Sequence, residues 1–215
     1  MRYLTLIASL VLMACGSTNT IDIQTPMYVY GDSISAGLSM PNYVDDIAAT
    51  MNLFVVNKAI GGTYMTSPNQ YMFIVWDWGN AWQAGSYVIF GPGHNDATVM
   101  DIDGTNTTYQ ELYAQDLTTI VQDMSCKPIH GFISTPIFTC DTGSNNSAQA
   151  NAAIAIYAQI NRDVVAKVNA SNVTLIDFNM KFTPTMDTTI DCTHPSVLGN
   201  QQMAQIFFQS IGGQL

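Results

Sequence analysis

"MYVYGDSISAG", residues 27–37, runs from an apolar stretch straight into an abrupt turn. Met27 to Tyr30 are apolar or aromatic at consecutive positions, the pattern of a strand covered on both faces. Gly31, Asp32 and Ser33 then break the run, each residue type suiting a turn for its own backbone reason. A strand that ends this way can also present a hydroxyl at the edge of a sheet, so the stretch reads either as an ordinary turn or as the seat of a nucleophile.

The same kind of strand recurs along the chain. Residues 53–57 (LFVVN), 86–91 (SYVIFG), 130–138 (HGFISTPIF) and 173–178 (VTLIDF) are further β-rich runs, all expected to be buried on both faces. Between them lie segments with helical spacing. Residues 41–52 start at Pro41 and set Val44, Ile47 and Met51 on one face; residues 108–124 do the same with Leu112, Leu117, Ile120, Val121 and Met124. Residues 147–169 align Ile154, Tyr157, Ile160, Val164 and Val168, and residues 196–211 form a last helix. Strands and helices alternating five times predict an α/β fold with a five-stranded parallel sheet and helices on both faces.

A chain of 215 residues with 47% hydrophobic and only 10% charged residues suits one folded domain and excludes a disordered or coiled-coil chain. The formal net charge of -10 repels phosphate backbones, which argues against a nucleic-acid partner. The N-terminus carries Arg2, an apolar stretch and small residues, the layout of a signal peptide over residues 1–14, too short to span a bilayer. Leu12-Met13-Ala14-Cys15 followed by Gly16 resembles a bacterial lipobox, in which the cysteine becomes lipidated and starts the mature chain. An ordinary cleaved signal peptide with an incidental Cys15 is the other reading. Residues 15–26 then form a lipidated N-terminus and polar tether, and 27–215 the folded domain.

In a parallel sheet of this kind, ligands bind beyond the carboxyl ends of the strands. The loops there collect Gly31-Asp32-Ser33 after the first strand and Gly61-Gly62 after the second. Gly93-His94-Asn95-Asp96 follows the third strand and Asp191-Cys192-Thr193-His194 comes after the fifth. Acyl transfer needs this inventory: a hydroxyl nucleophile, an imidazole base, a carboxylate to orient it and donors for an oxyanion.

These four blocks, in this order, resemble those of the GDSL or SGNH hydrolase family, which contribute Ser, Gly, Asn and His. "YGDSISAG", "VNKAIGGT", "GHND" and "DCTHPS" carry the resemblance, which extends from about residue 27 to the end of the chain. It implies a three-layer α/β/α, flavodoxin-like fold. It also implies Ser33 as nucleophile, His194 as base, Asp191 as the carboxylate that fixes the tautomer of His194, and an oxyanion hole made by the N–H groups of Ser33 and Gly62 and the amide of Asn95. A Cβ at position 62 would crowd an approaching acyl group. Ile34 stands where the family's name has Leu, and Cys192 and Thr193 fill the space between Asp191 and His194 where relatives often carry Gly or a small polar residue. Of the four cysteines, Cys140 and Cys192 belong to the same sheet edge and Cys126 to the other, so an exported chain would pair Cys140 with Cys192 and leave Cys126 as a buried free thiol.

Other features read as structural. Asp32 and Asp96 hold their turns, His94 is a satisfied loop histidine, and His130 precedes a strand. Tyr71, Phe73, Trp76, Trp78 and Trp82 crowd one segment, which suits core packing better than a stacking platform. No zinc-type spacing and no phosphate loop occurs, so no metal or cofactor is expected. The reading is an envelope-anchored, exported bacterial serine esterase or lipase, tethered to a membrane by its lipid and acting as a monomer on small-molecule, glycan or lipid esters. The alternatives are an envelope glycan-binding protein or an acyltransferase on the same scaffold.

Overall fold

The computed structural model describes residues 24–37, 42–65, 82–140 and 145–212. Consecutive apolar residues become five parallel strands: β1 (Pro26–Gly31), β2 (Phe54–Asn57), β3 (Tyr87–Gly91), β4 (His130–Ser134) and β5 (Val173–Ile176), ordered β2-β1-β3-β4-β5. The helices are α1 (Ser33–Ala36), α2 (Tyr43–Met51), α3 (Thr107–Ser125), α4 (Asn145–Val168), α5 (Phe178–Lys181) and α6 (Val197–Ser210). A single π-helical turn spans Asp96–Met100.

Period-two alternation within the strands divides the core into two halves. Tyr28 and Tyr30 of β1 face one side with Val88 and Phe90 of β3, against Tyr113 and Leu117 of α3 and Ile154 and Tyr157 of α4. Met27 and Val29 face the other with Ile89, against Val44 and Ile47 of α2 and Met203 and Phe207 of α6. Helices therefore cover both faces, as the alternation of elements predicts.

Three expectations need correction. The β2 run is not buried on both faces: it is an edge strand, and Phe54 is 58% exposed. The fourth strand stops at Ser134, the last residue paired to β5; Thr135 N–H still donates to Ile176 O at 3.0 Å, and Pro136 then offers no N–H to a ladder. On α3, Leu112 is exposed and its neighbour Tyr113 is the buried residue, donating its hydroxyl to Asn161 Oδ1 at 2.8 Å.

Two strands end in glycines that lie side by side, Gly31 paired with Gly91. A Cβ on Gly31 would stand 2.8 Å from both the carbonyl oxygen of Gly91 and the Ser35 hydroxyl. One on Gly91 would meet Ser134 Oγ at 2.8 Å and Ser35 Oγ at 2.9 Å. The first turn of α1 folds back into this space, and Ser35 Oγ hydrogen-bonds Tyr43 OH at 3.0 Å there. Gly91→Ala should destabilise the domain by about 1–3 kcal/mol through overpacking, which thermal unfolding would register as a Tm lowered by about 2–4 °C per kcal/mol.

Candidate active site

Asp32 has extended backbone and caps α1, its carboxylate accepting the Ile34 N–H at 3.0 Å. Ser33 is thereby the first residue of a single helical turn, which closes with Gly37 N–H donating to Ser33 O at 3.1 Å. The strand must stop here, and the hydroxyl of Ser33 is left at the sheet's carboxyl edge.

The Gly61-Gly62 turn is pinned beside it. Ile60 N–H donates to Gly31 O at 3.0 Å, and the Asn57 amide donates to Ser35 O at 2.9 Å. A Cβ on Gly61 would sit 3.6 Å from Ser33 Cβ, so the two loops touch. Gly62 adopts φ 76°, a left-handed backbone that favours glycine, and a Cβ there would meet no protein atom within 4 Å. Conformation, and not crowding by the protein itself, accounts for glycine at position 62. Thr63 O then accepts the Asn95 amide at 3.0 Å, which ties the third loop to the second and, among the described residues, leaves the other amide hydrogen uncommitted. Asp96 is buried and orders this loop, its Oδ1 accepting Met65 N–H at 2.9 Å and Tyr109 OH at 2.7 Å.

The last loop brings the imidazole. Ile190 N–H donates to His194 O at 2.8 Å, Ser196 N–H donates to Thr188 O at 2.8 Å, and Thr189 bridges Pro195, so the loop has a narrow, hydrogen-bonded base. At its tip, Asp191 Oδ1 accepts the N–H groups of Thr193 at 3.0 Å and His194 at 2.7 Å. His194 Nδ1–H donates to Asp191 Oδ2 at 2.7 Å, which leaves Nε2 to accept the Ser33 hydroxyl at 2.9 Å. Against the upward push of its partial burial, the hydrogen bonds from His194 and Thr193 hold the Asp191 carboxyl below the usual carboxylate range. The arrangement can draw the proton from Ser33 as its oxygen attacks and stabilise the imidazolium that forms.

The structure thus gathers Ser33, Gly62, Asn95, Asp191 and His194 at one edge. Cys140 and Cys192 are joined by a disulfide, with Cα atoms 4.8 Å apart. Cys126 is free but exposed, contrary to the expectation of a buried thiol, because it caps the solvent-facing end of α3. Cys15 and the segment from Tyr71 to residue 81 lie outside the described residues. Trp82 packs edge-on against Tyr30 and donates its indole N–H to that tyrosine's hydroxyl at 3.0 Å, a core role. His130 stacks on Tyr87 at the start of β4. Among the described residues no group of three His, Cys, Asp or Glu side chains could hold a metal ion. Of the bracing residues, Asn57 and Thr63 fall within the VNKAIGGT block, whereas Tyr43 carries no motif of its own in the sequence.

Two buried titratable groups sit just behind the site, both lining a small cavity of about 10 Å³ together with Ser35, Tyr43, Ser134 and Thr135. Burial pushes the Asp32 carboxyl up to about 7, against its bond from Ile34, with the charge of Asp96 adding to the rise. Burial pulls His94 down to about 4, opposed by its Nδ1–H bond to Ile137 O at 3.2 Å. The signs oppose. Asp32 contributes stability that is full below about pH 4 and lost as pH rises through 7; His94 contributes stability that is full above about pH 6.5 and lost as pH falls through 4. Denaturant midpoints between pH 4.5 and 6.5 should therefore fall more steeply on acidification in Asp32→Asn than in the parent, and less steeply in His94→Asn. Each change is bounded by about 1.4 kcal/mol per pH unit.

A family model described as GDSL-like lipase/acylhydrolase matches residues 29–202. Solved structures share the fold at low identity. Axe2, an acetylxylan esterase from Geobacillus stearothermophilus, is 18% identical with a TM-score of 0.61 over 88% of this chain and 96% of that one. LAE5, an α/β hydrolase from the metagenome of Lake Arreo, is 18% identical with a TM-score of 0.65 over 87% and 95%. A protein of Slackia heliotrinireducens provisionally described as an SGNH hydrolase is 16% identical with a TM-score of 0.64 over 88% and 100%. No curated protein matches the chain in sequence.

Proposed function

The chain belongs to the GDSL-like lipase/acylhydrolase family, and from that premise we propose that it is a serine esterase that cleaves carboxylic esters through an acyl-enzyme on Ser33. The observation that carries this reading is the continuous relay Asp191–His194–Ser33, with contacts of 2.7 and 2.9 Å. Ser33 Oγ attacks the ester carbonyl as His194 Nε2 takes its proton. The N–H groups of Ser33 and Gly62 and the second amide hydrogen of Asn95 stabilise the oxyanion. His194 then protonates the leaving alkoxide, and water activated by the same imidazole releases the acid.

Openness bears on the substrate. A Cβ at Gly62 would meet nothing within 4 Å, and the Asp191 side chain is 50% exposed, so the described residues leave the mouth unconfined around the alcohol part of an ester. Together with the fold shared with an acetylxylan esterase, this favours short acyl groups on bulky alcohols, acetylated carbohydrates among them. The Leu12-Met13-Ala14-Cys15 sequence supports export and lipid anchoring in a bacterial envelope, where such esters are met outside the cytoplasm.

Hydrolysis of p-nitrophenyl esters from acetate to palmitate tests the proposal. Acetate should be preferred, and Ser33→Ala should lose on the order of 10³-fold or more in kcat with its unfolding transition unchanged. Asn95→Ala should lose about 10²–10³-fold in kcat with little change in KM, because the donor acts on charge that develops only in the transition state. A folded parent protein without turnover on any ester would refute the reading.

A further inference from the structure

We infer that the Cys140–Cys192 disulfide is a positioning element of the catalytic loop, whose reduction stops hydrolysis while the domain stays folded; the inference rests on the esterase reading above. The bond enters the loop between Asp191 and His194, at the tip and not at the hydrogen-bonded base. Apart from the His194–Ser33 bond, the hydrogen bonds and covalent link that join the tip to the body of the domain, among the described residues, fall at Cys192. That residue holds the disulfide, and its carbonyl accepts the Cys140 N–H at 2.9 Å.

The other end of the brace is firm. Cys140 is 5% exposed, and its neighbour Thr139 exchanges hydrogen bonds with Asn151 of α4: Thr139 N–H donates to Asn151 Oδ1 at 2.8 Å and the Asn151 amide donates to Thr139 O at 3.0 Å. The loop end is conformationally costly. Cys192 has φ 65°, a left-handed backbone that a residue with a Cβ avoids unless its surroundings impose it. Released from the disulfide, Cys192 relaxes toward negative φ and turns the following peptide, whose Thr193 N–H is one of the two backbone donors holding Asp191 Oδ1. Asp191 then loses its orientation, and His194 its hold on the tautomer that serves Ser33. The base of the loop and the sheet keep their own hydrogen bonds, so the fold survives.

A reductant can reach the bond. Cys192 is partly exposed, and Met186, whose sulfur lies 3.4 Å from Cys192 Sγ and 4.0 Å from Cys140 Sγ, is itself 78% exposed. A dithiol supplies the two electrons and two protons: one of its thiolates attacks Cys192 Sγ, Cys140 leaves as thiolate and is protonated, and the second thiol closes the reductant's own disulfide, freeing Cys192.

The test uses the folded protein carrying Cys126→Ser, so that only this pair reports. Oxidised and dithiothreitol-reduced samples are compared at 25 °C, with thiols counted by mass after alkylation. Reduction should lower kcat for p-nitrophenyl acetate at least tenfold with KM within twofold, slow the labelling of Ser33 by an organophosphorus fluoride in parallel, leave near-ultraviolet circular dichroism in place, and reverse on reoxidation. Cys192→Gly should retain several-fold more activity than Cys192→Ser, since glycine accepts the left-handed backbone without the brace. Unchanged kcat with both thiols free, loss of activity only together with the dichroism signal, or a Gly variant no better than Ser would each overturn the inference. An oxidised protein that neither hydrolyses esters nor labels at Ser33 would instead defeat the esterase reading on which it rests.

Discussion

The site depends on a space with no side chains in it. Gly31 and Gly91 stand opposite one another at the ends of adjacent strands, and the Ser35 hydroxyl fills the gap that two Cβ atoms would close. Only because that gap exists can the chain reverse within one residue of leaving β1 and begin a helical turn with Ser33. From this turn the support spreads outward by hydrogen bonds: Ile60 to Gly31, Asn57 to Ser35, and Asn95 to Thr63. Three loops that follow three different strands are thus fixed against one another before any substrate arrives, which is what electrostatic stabilisation of a transition state requires.

Behind the reacting edge, the domain holds two ionisable groups in a setting where each is pushed toward neutrality. Asp32 and His94 share the lining of one small cavity and shift in opposite directions for the same reason, the loss of water around a charge. The carboxyl that caps α1 therefore belongs to the floor beneath Ser33, whereas Asp191, half exposed and kept ionised by its donors, holds His194 at the mouth.

Much of this was legible in the sequence. Consecutive apolar runs located all five strands, and three of the four motif blocks lie at or just past the ends of the first three, while the fourth, Asp191–Ser196, comes only beyond α5. What failed did so for reasons of tertiary context. Edge position leaves β2 half exposed although its residues are as apolar as those of β1, and helical periodicity alone could not say whether Leu112 or Tyr113 faced inward. Cys126 lies at a helix end, where burial depends on which way the cap turns, and no pattern encodes that. At position 62 the room an acyl group needs was legible, while the left-handed backbone angle that also favours glycine there is invisible until the turn is built.

The relay joins residues 161 positions apart in the chain. Closing a loop of that span costs entropy that only the finished sheet and both helical layers can offset. No partial fold containing β1 and its turn can be a hydrolase, because the imidazole arrives on the last loop before the final helix. On the proposed mechanism, Ser33 therefore stays an ordinary alcohol throughout synthesis and assembly, and chemical competence itself reports that the whole chain has closed.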